Sequence, residues 1–227
     1  MITEKSKNYK LYTFIKHSEI SKISIICLPE EKRFLSSNLY SDDLIIYTIL
    51  VMGDPLTGKT SFCKRFAINE FCLETRTSKD IEYYLKIINV FDKNILIFII
   101  SIKQKYISQK KSNIPPEILS NINSVIVLYD LTNYLSFERV EKIIEDIKIC
   151  FGDDIIIFVV GNKNDLINLR EVDEEKAQNK IKELKCEYKE ANCVDDDSVH
   201  NVCKELIANI YINNLDDKEK QKIMNDL

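Results

Sequence analysis

The run Leu44 to Met52 (LIIYTILVM) is continuously apolar and rich in β-branched residues, the pattern of a strand buried on both faces. It runs directly into Gly53. From Ser61 to Asn69 the spacing becomes helical, with Phe62, Phe66 and Cys63 directed inward. Ile81 to Phe91 and Ile95 to Ile102 read as strands joined by the polar turn Asp92-Lys93-Asn94, which predicts a hairpin and an antiparallel edge. Lys103 to Asn123, polar, Lys-rich and interrupted by Pro115-Pro116, reads as a loop with at most a short helix. Ser124 to Tyr129 is again a buried strand. Ser136 to Phe151 predicts an amphipathic helix carrying Phe137, Val140, Ile143, Ile144, Ile147 and Cys150, with Gly152 placed to end it. Ile155 to Val160 is the next strand, Glu174 to Leu184 the next helix, and Cys186 to Ala191 a short strand. Ser198 to Ile212 closes the pattern as a helix with Val202, Leu206 and Ile210 inward. Strands alternating with helices predict an α/β fold: a mostly parallel six-stranded sheet with helices on both faces.

The pattern occupies residues 44–212 and defines one domain. Residues 1–43 form an N-terminal extension of unknown role, expected to pack on or hang from the domain and not to act as a partner-binding or membrane-directing arm. Within it, Leu11 to Ile15 and Ile20 to Leu28 could add strands, and Glu30-Glu31-Lys32-Arg33 reads as a solvated turn. Residues 213–227 are a polar C-terminal tail.

Composition narrows the function classes. A chain of 227 residues, 45% hydrophobic and 30% charged, has the make-up of one globular domain with tails, which excludes a disordered or fibrous protein. Its 32 Lys and Arg against 36 Asp and Glu leave a net charge of -4, with no basic stripe for nucleic acid. Seven scattered cysteines without a CxxC pair, and only His17 and His200 to join them, predict reduced thiols in a cytoplasmic setting and no structural zinc. The opening MITEKSKNYK lacks the apolar stretch of a signal peptide, and runs such as Ile95 to Ile100 fall far short of the roughly 18 residues a membrane span needs. With no glycine after Met1 and no cysteine in Gln221 to Leu227, no direct membrane anchor is evident, so any membrane association is expected to go through a partner.

The chain keeps only four glycines, Gly53, Gly58, Gly152 and Gly161. Two of them frame Gly53-Asp54-Pro55-Leu56-Thr57-Gly58-Lys59-Thr60, which matches GxxxxGK[ST] between a buried strand and a helix that continues through Ser61. In such a loop backbone N–H groups converge on a phosphate, a lysine reaches the terminal phosphates, and a hydroxyl can ligate Mg²⁺. Pro55 removes one N–H from this cradle, and Leu56 could not take a positive φ without strain. A second motif, Asn162-Lys163-Asn164-Asp165, follows the strand Ile155 to Val160 at the carboxyl end where open α/β sheets place ligands. There a carboxylate can accept two N–H groups from guanine, an edge adenine does not present.

With these motifs in place, the chain resembles the Ras-like small GTPases, and among them the Rab branch, over about Leu44 to Ile212. The likeness rests on GDPLTGKTS, on SVIVLYDLTNYLSFERV from Ser124 to Val140, on GNKNDL from Gly161 to Leu166, and on REVDEEKAQNKIKELKCEYKEANC from Arg170 to Cys193. It implies a P-loop NTPase fold and a site for GTP or GDP with Mg²⁺. Lys59 would hold the β- and γ-phosphates, Thr60 would ligate Mg²⁺, Asp165 would read guanine, Lys163 would lie along the base, and Asn162 would tie the two loops together. Phe71 falls where the family often places an aromatic against the base. Asn192-Cys193-Val194 stands in for the family's SAK, keeping backbone contacts to the base but losing a lysine-supported loop. Counting from Thr60 to the first switch lands on Ser78, beside Thr77, as the second metal hydroxyl.

The second switch departs from the family. Its DxxG supplies an Asp for the metal's water shell, a Gly at the γ-phosphate and usually a following Gln that orients water. From Lys93 to Tyr129 this sequence has no Asp and no Gly; the nearest stretch is Ser101-Ile-Lys-Gln104-Lys105, with Gln109 beyond it. The resemblance therefore implies a Rab-like GTP-binding regulator or adaptor of vesicle traffic, nominally a GTPase, with weak or absent hydrolysis and no catalytic residue to name. Its effectors or regulators would meet residues 77–84 and 103–113. The alternative is a pseudo-GTPase, an interaction module whose nucleotide site is vestigial or permanently occupied.

Overall fold

The computed structural model describes residues 25–31, 45–71, 80–90, 93–103 and 119–215. Seven strands form one sheet: β1 (Ile25–Ile26), β2 (Ile45–Gly53), β3 (Ile81–Val90), β4 (Lys93–Ile102), β5 (Ile122–Asp130), β6 (Ile156–Asn162) and β7 (Glu187–Ala191). Among the described residues they are accompanied by α1 (Lys59–Ile68), α2 (Tyr134–Glu138), α3 (Val140–Phe151), α4 (Glu174–Glu183) and α5 (Asp196–Asn214). The strand order is β1-β3-β4-β2-β5-β6-β7. Strands β4, β2, β5, β6 and β7 run parallel, while β3 pairs antiparallel with β4, with Val90 opposite Lys93. This is the six-stranded, mostly parallel arrangement expected from the sequence. The seventh strand, β1, is two residues within the predicted Ile20 to Leu28 and pairs parallel with β3.

The period of two along each central strand divides the core into two layers. On β2, Ile46, Leu50 and Met52 face one side while Tyr47, Ile49 and Val51 face the other; on β4, Leu96, Phe98, Ile100 and Ile102 oppose Ile95, Ile97 and Ile99. The first layer is closed by Val140, Ile143, Ile144 and Ile147 of α3 with Ala177 and Ile181 of α4. The second is closed by α1 (Phe62, Cys63, Phe66, Ala67) and α5 (Val199, Val202, Leu206, Ile210). Each fully buried aliphatic or aromatic side chain contributes about 1.5–3 kcal/mol over exposure.

The differences from the expected elements have local causes. Helix α3 is preceded by the short α2, and Cys150 lies exposed because its position has rotated off the apolar stripe; Gly152, at φ 92°, caps the helix with its N–H on the Lys148 carbonyl. Glu31 is buried instead of solvated, since its carboxylate accepts the Leu28 N–H at 2.6 Å and lies 3.7 Å from the Lys86 ammonium. Leu11 to Ile15, Cys72, Thr77, Ser78 and the loop from 104 to 118 lie outside the described residues. No helix among the described residues is long and apolar enough to cross a membrane.

Four parallel strands end at one edge of the sheet, on Gly53, Asp130, Asn162 and Ala191.

Candidate functional site

Strand β2 delivers the chain into the glycine loop at Gly53, whose φ is 141° and where an added Cβ would lie 2.1 Å from the Leu128 carbonyl oxygen. Gly58, at φ 92°, is the N-cap of α1, and a Cβ there would meet the Asn162 side-chain nitrogen at 2.2 Å. Only glycine fits either place. No side chain caps α1, so the first-turn N–H groups are left for a ligand. The loop is braced from within: buried Thr57 donates its hydroxyl to the Asp54 carbonyl at 2.9 Å, and the Asp54 carboxylate takes Arg139 Nη1 at 2.7 Å. Pro55 and Leu56 are exposed at its tip. The strain anticipated for Leu56 is present, since the loop holds it at φ 67°, a conformation costing a non-glycine residue about 1–2 kcal/mol.

Lys59 folds back over the loop and donates to the carbonyls of Gly53 at 2.9 Å and Asp54 at 2.6 Å. Burial lowers its pKa from an ordinary 10.5 to about 8, with the Asp54 carboxylate opposing that shift. Thr60, next in α1, donates its hydroxyl to Glu82 Oε2 at 2.6 Å, and Ser61 is half-buried beside it in the first turn.

The second loop begins where β6 ends. Asn162, 2% exposed, donates its side-chain amide to the Thr57 carbonyl at 2.8 Å, which ties this loop to the glycine loop. Lys163 sits at φ 69° and reaches Asp130 Oδ2 at 2.5 Å; the other oxygen of Asp130 accepts the Thr132 N–H at 2.9 Å and hydroxyl at 2.7 Å. Asp165 is exposed, and its carboxylate takes no hydrogen bond from any described residue.

A third loop, Asn192 to Val194, leaves β7 and is sewn to the second. Asn192 donates its side-chain amide to Asn164 Oδ1 at 2.8 Å and accepts the Asp195 N–H at 2.7 Å, while Asn164 N–H bonds the Ala191 carbonyl at 3.2 Å. Cys193 is buried with its Sγ 3.6 Å from Asn162 Oδ1, and burial pushes the thiol up to about 11, so it stays protonated at neutral pH. Val194 is exposed.

The lysine missing from this loop is answered by an arginine from another element. Arg65 of α1, itself buried, donates Nε to the Cys193 carbonyl at 2.9 Å and Nη2 to the Val194 carbonyl at 3.3 Å, pairs with Asp196, and sets its guanidinium 5.7 Å from the centre of the Phe71 ring. Phe71 is thereby held beside the third loop. Replacing Arg65 with alanine is expected to cost about 2–4 kcal/mol in denaturant unfolding, because two carbonyls and a carboxylate lose a charged donor. Arg65→Lys should recover less than half of it, since an ammonium cannot span both carbonyls as the guanidinium fork does.

The site thus joins three loops at the carboxyl edge of the sheet. Of the residues expected there, Gly53, Pro55, Leu56, Thr57, Gly58, Lys59, Thr60, Ser61, Asn162, Lys163, Asp165, Asn192, Cys193 and Val194 lie on these loops or on the first turn of α1, Phe71 lies past the end of α1 beside the Arg65 guanidinium, and Ser78 is outside the described residues. Arg65, Asp130 and Glu82 were not anticipated. Asp130 carried a signal, standing at the end of the strand Ser124 to Tyr129 in register with Asn162. Among the described residues no three or more His, Cys, Asp or Glu side chains converge, and an Mg²⁺ held between phosphates and its own waters needs no such cage.

Comparison with known proteins matches residues 48–212 to the Ras family. Ras-related protein Rab11B of Nicotiana tabacum is 28% identical over 166 residues, covering 73% of this chain and 75% of that protein. Ras-related protein YPTC6 of Chlamydomonas reinhardtii is 26% identical, covering 73% and 76%. Ras-related protein RABA1f of Arabidopsis thaliana is 27% identical, covering 73% and 75%. With a fold, a glycine loop and a match over residues 48–212 that agree, the protein belongs to the Ras family of small GTPases, on its Rab-like side.

Proposed function

We propose that this protein binds GTP and GDP with Mg²⁺ and acts as a Rab-like regulator or adaptor in intracellular vesicle traffic, with hydrolysis weak or absent. The observation that carries the nucleotide reading is the Asn162 to Thr57 hydrogen bond, which holds the phosphate loop and the base loop as one rigid cradle. In that cradle Lys59 holds the β- and γ-phosphates against the first-turn N–H groups of α1, Asp165 accepts two N–H groups from guanine, and the Lys163 stem lies along the base. Phe71 covers an edge of the base, and the backbone of Asn192 to Val194 contacts it. The exposed carboxylate of Asp165, free of bonds to described residues, suits it to a ligand.

The Thr60 hydroxyl and the nearby Glu82 carboxylate are hard oxygen donors of the kind Mg²⁺ takes. Thr60 would hold the ion, with Ser78 the candidate for a second hydroxyl, and when bound it neutralises charge on the phosphates. The partners are guanine nucleotide and protein effectors or regulators at residues 77–84 and 103–113, with no nucleic acid. Contact with a membrane goes through such a partner.

Slow chemistry follows from the second switch. An intact relative hydrolyses GTP unaided at about 10⁻⁴ s⁻¹, and partners accelerate it by ordering a Gln that this chain does not place after a DxxG. Single-turnover hydrolysis of bound GTP is expected at or below that unaided rate; turnover at about 10⁻² s⁻¹ or faster would show that another residue orients the water. The absence of Asp and Gly from Lys93 to Tyr129 also favours a second reading, a pseudo-GTPase whose nucleotide is permanently held and whose surface does the signalling. A γ-phosphate that meets no glycine N–H gives GTP little advantage over GDP, and a ligand shifts a switch only by its differential contacts.

A further inference from the structure

The aspartate that is absent between Lys93 and Tyr129 has a counterpart one strand away. Glu82 of β3 accepts the Thr60 hydroxyl at 2.6 Å and the hydroxyl of fully buried Tyr84 at 3.3 Å. Register puts Ser101 of β4 opposite both Glu82 on β3 and Val51 on β2, so the three residues form one row across the sheet, two residues before Gly53. They share the face that α1 covers: Val51 and Tyr84 belong to its layer, and Glu82 and Ser101 follow the same alternation. At this place a phosphate-loop site brings a carboxylate from the strand to the metal held by the loop hydroxyl. Ser101, buried at 4% exposure, offers only a hydroxyl. Directly opposed residues on antiparallel strands have Cβ atoms about 4.5–5.5 Å apart, which a glutamate side chain can span.

We infer that Glu82 has taken over the carboxylate role at the Mg²⁺ site, transposed from β4 to its neighbour β3; this rests on the nucleotide-binding reading above. Thr60 donates its hydroxyl hydrogen bond to Glu82, which leaves the hydroxyl oxygen lone pairs for the cation. The carboxylate itself holds the metal's water shell and supplies the negative charge that Ser101 lacks. Among the described residues no cation lies within salt-bridge distance of Glu82: Lys103 pairs with Asp80 at 2.7 Å, and the Lys59 ammonium is turned onto the Gly53 and Asp54 carbonyls. A half-buried carboxylate bonded to the hydroxyls of Thr60 and Tyr84 keeps the capacity to meet a cation, and the site next to it is the one that takes a cation. Glu82 is a positioning residue: it acts on the nucleotide through the metal and Thr60.

The test is release of a fluorescent GDP analogue from the full-length chain across a Mg²⁺ titration. Wild-type release should slow as Mg²⁺ rises. In Glu82→Gln, whose amide oxygen can still accept from Thr60 and Tyr84, the Mg²⁺ midpoint should rise about tenfold or more while release in EDTA stays within about twofold of wild type. Adding Ser101→Asp to Glu82→Gln should bring the midpoint back toward wild type, and Glu82→Asp should give a smaller shift in the same direction. An unmoved midpoint in Glu82→Gln overturns the inference, as does equal acceleration in EDTA, which marks a merely structural support of the loop. Wild-type release that ignores Mg²⁺ overturns it too but leaves nucleotide binding standing. A wild-type chain that takes up no GDP analogue overturns the nucleotide reading itself.

Discussion

Lys59→Ala is expected to lower affinity for guanine nucleotide by about 10²- to 10⁴-fold. The ammonium makes charge-assisted hydrogen bonds to two phosphates in the proposed complex, each contributing about 1.5–3 kcal/mol, and each 1.4 kcal/mol is tenfold in Kd. Titration by calorimetry measures the loss, with circular dichroism to show that the fold is retained; affinity within threefold of wild type would remove Lys59 from the phosphates. The same group sets a pH signature. In the nucleotide-free chain burial has lowered its pKa from 10.5 to about 8. Between those values the unfolded chain binds more protons than the folded one, so stability of the empty protein rises with pH over that window. The cost of holding Lys59 charged is fully present below pH 8. A bound triphosphate favours the ammonium, so binding above pH 8 takes up a proton and affinity falls as pH rises, by up to about tenfold per unit. In Lys59→Ala both trends should vanish.

Asp165→Asn is expected to reduce affinity for guanine nucleotide by about 10²-fold or more and to raise affinity for xanthine nucleotide until the preference inverts. The carboxylate only accepts, which suits the two N–H groups of guanine; the amide also donates, which suits the carbonyl that xanthine presents in place of guanine's amino group. A charged pair of hydrogen bonds is replaced by a mismatch, at about 3 kcal/mol or more. Because Asp165 is exposed and takes no hydrogen bond from a described residue, folding stability should move by less than about 0.5 kcal/mol. Competition between guanine and xanthine diphosphates reads the inversion directly. Unchanged preference would place the base somewhere other than beside the second loop.

The parts of the molecule that were legible in its sequence are those written in consecutive residues. Ile45 to Met52 is apolar apart from buried Thr48 because β2 lies between β4 and β5 with core on both faces, and that pattern needs no partner to be read. Gly53 and Gly58 mark a loop because two close approaches, to the Leu128 carbonyl and to the Asn162 amide, leave no room for a Cβ. What stayed hidden depends on contacts between distant positions. Arg65 reaches Cys193 across 128 residues, and on a helix it looks like any solvated arginine. Glu82 meets Thr60 across 22 residues, and its opposition to Ser101 follows from hairpin register, which a shift of one residue would have abolished. Glu31 was read as solvated because its neighbours are charged, whereas the Leu28 N–H and Lys86 give it a buried place. Leu56 shows the opposite case: its local preference was read correctly, and the loop overrides it.

The most direct measurement is the identity and stoichiometry of nucleotide released on denaturing protein purified in Mg²⁺ without added nucleotide. Close to one guanine nucleotide per chain is the predicted result. An empty site at micromolar protein, or adenine nucleotide in its place, would contradict the claim that these three loops grip a guanine nucleotide.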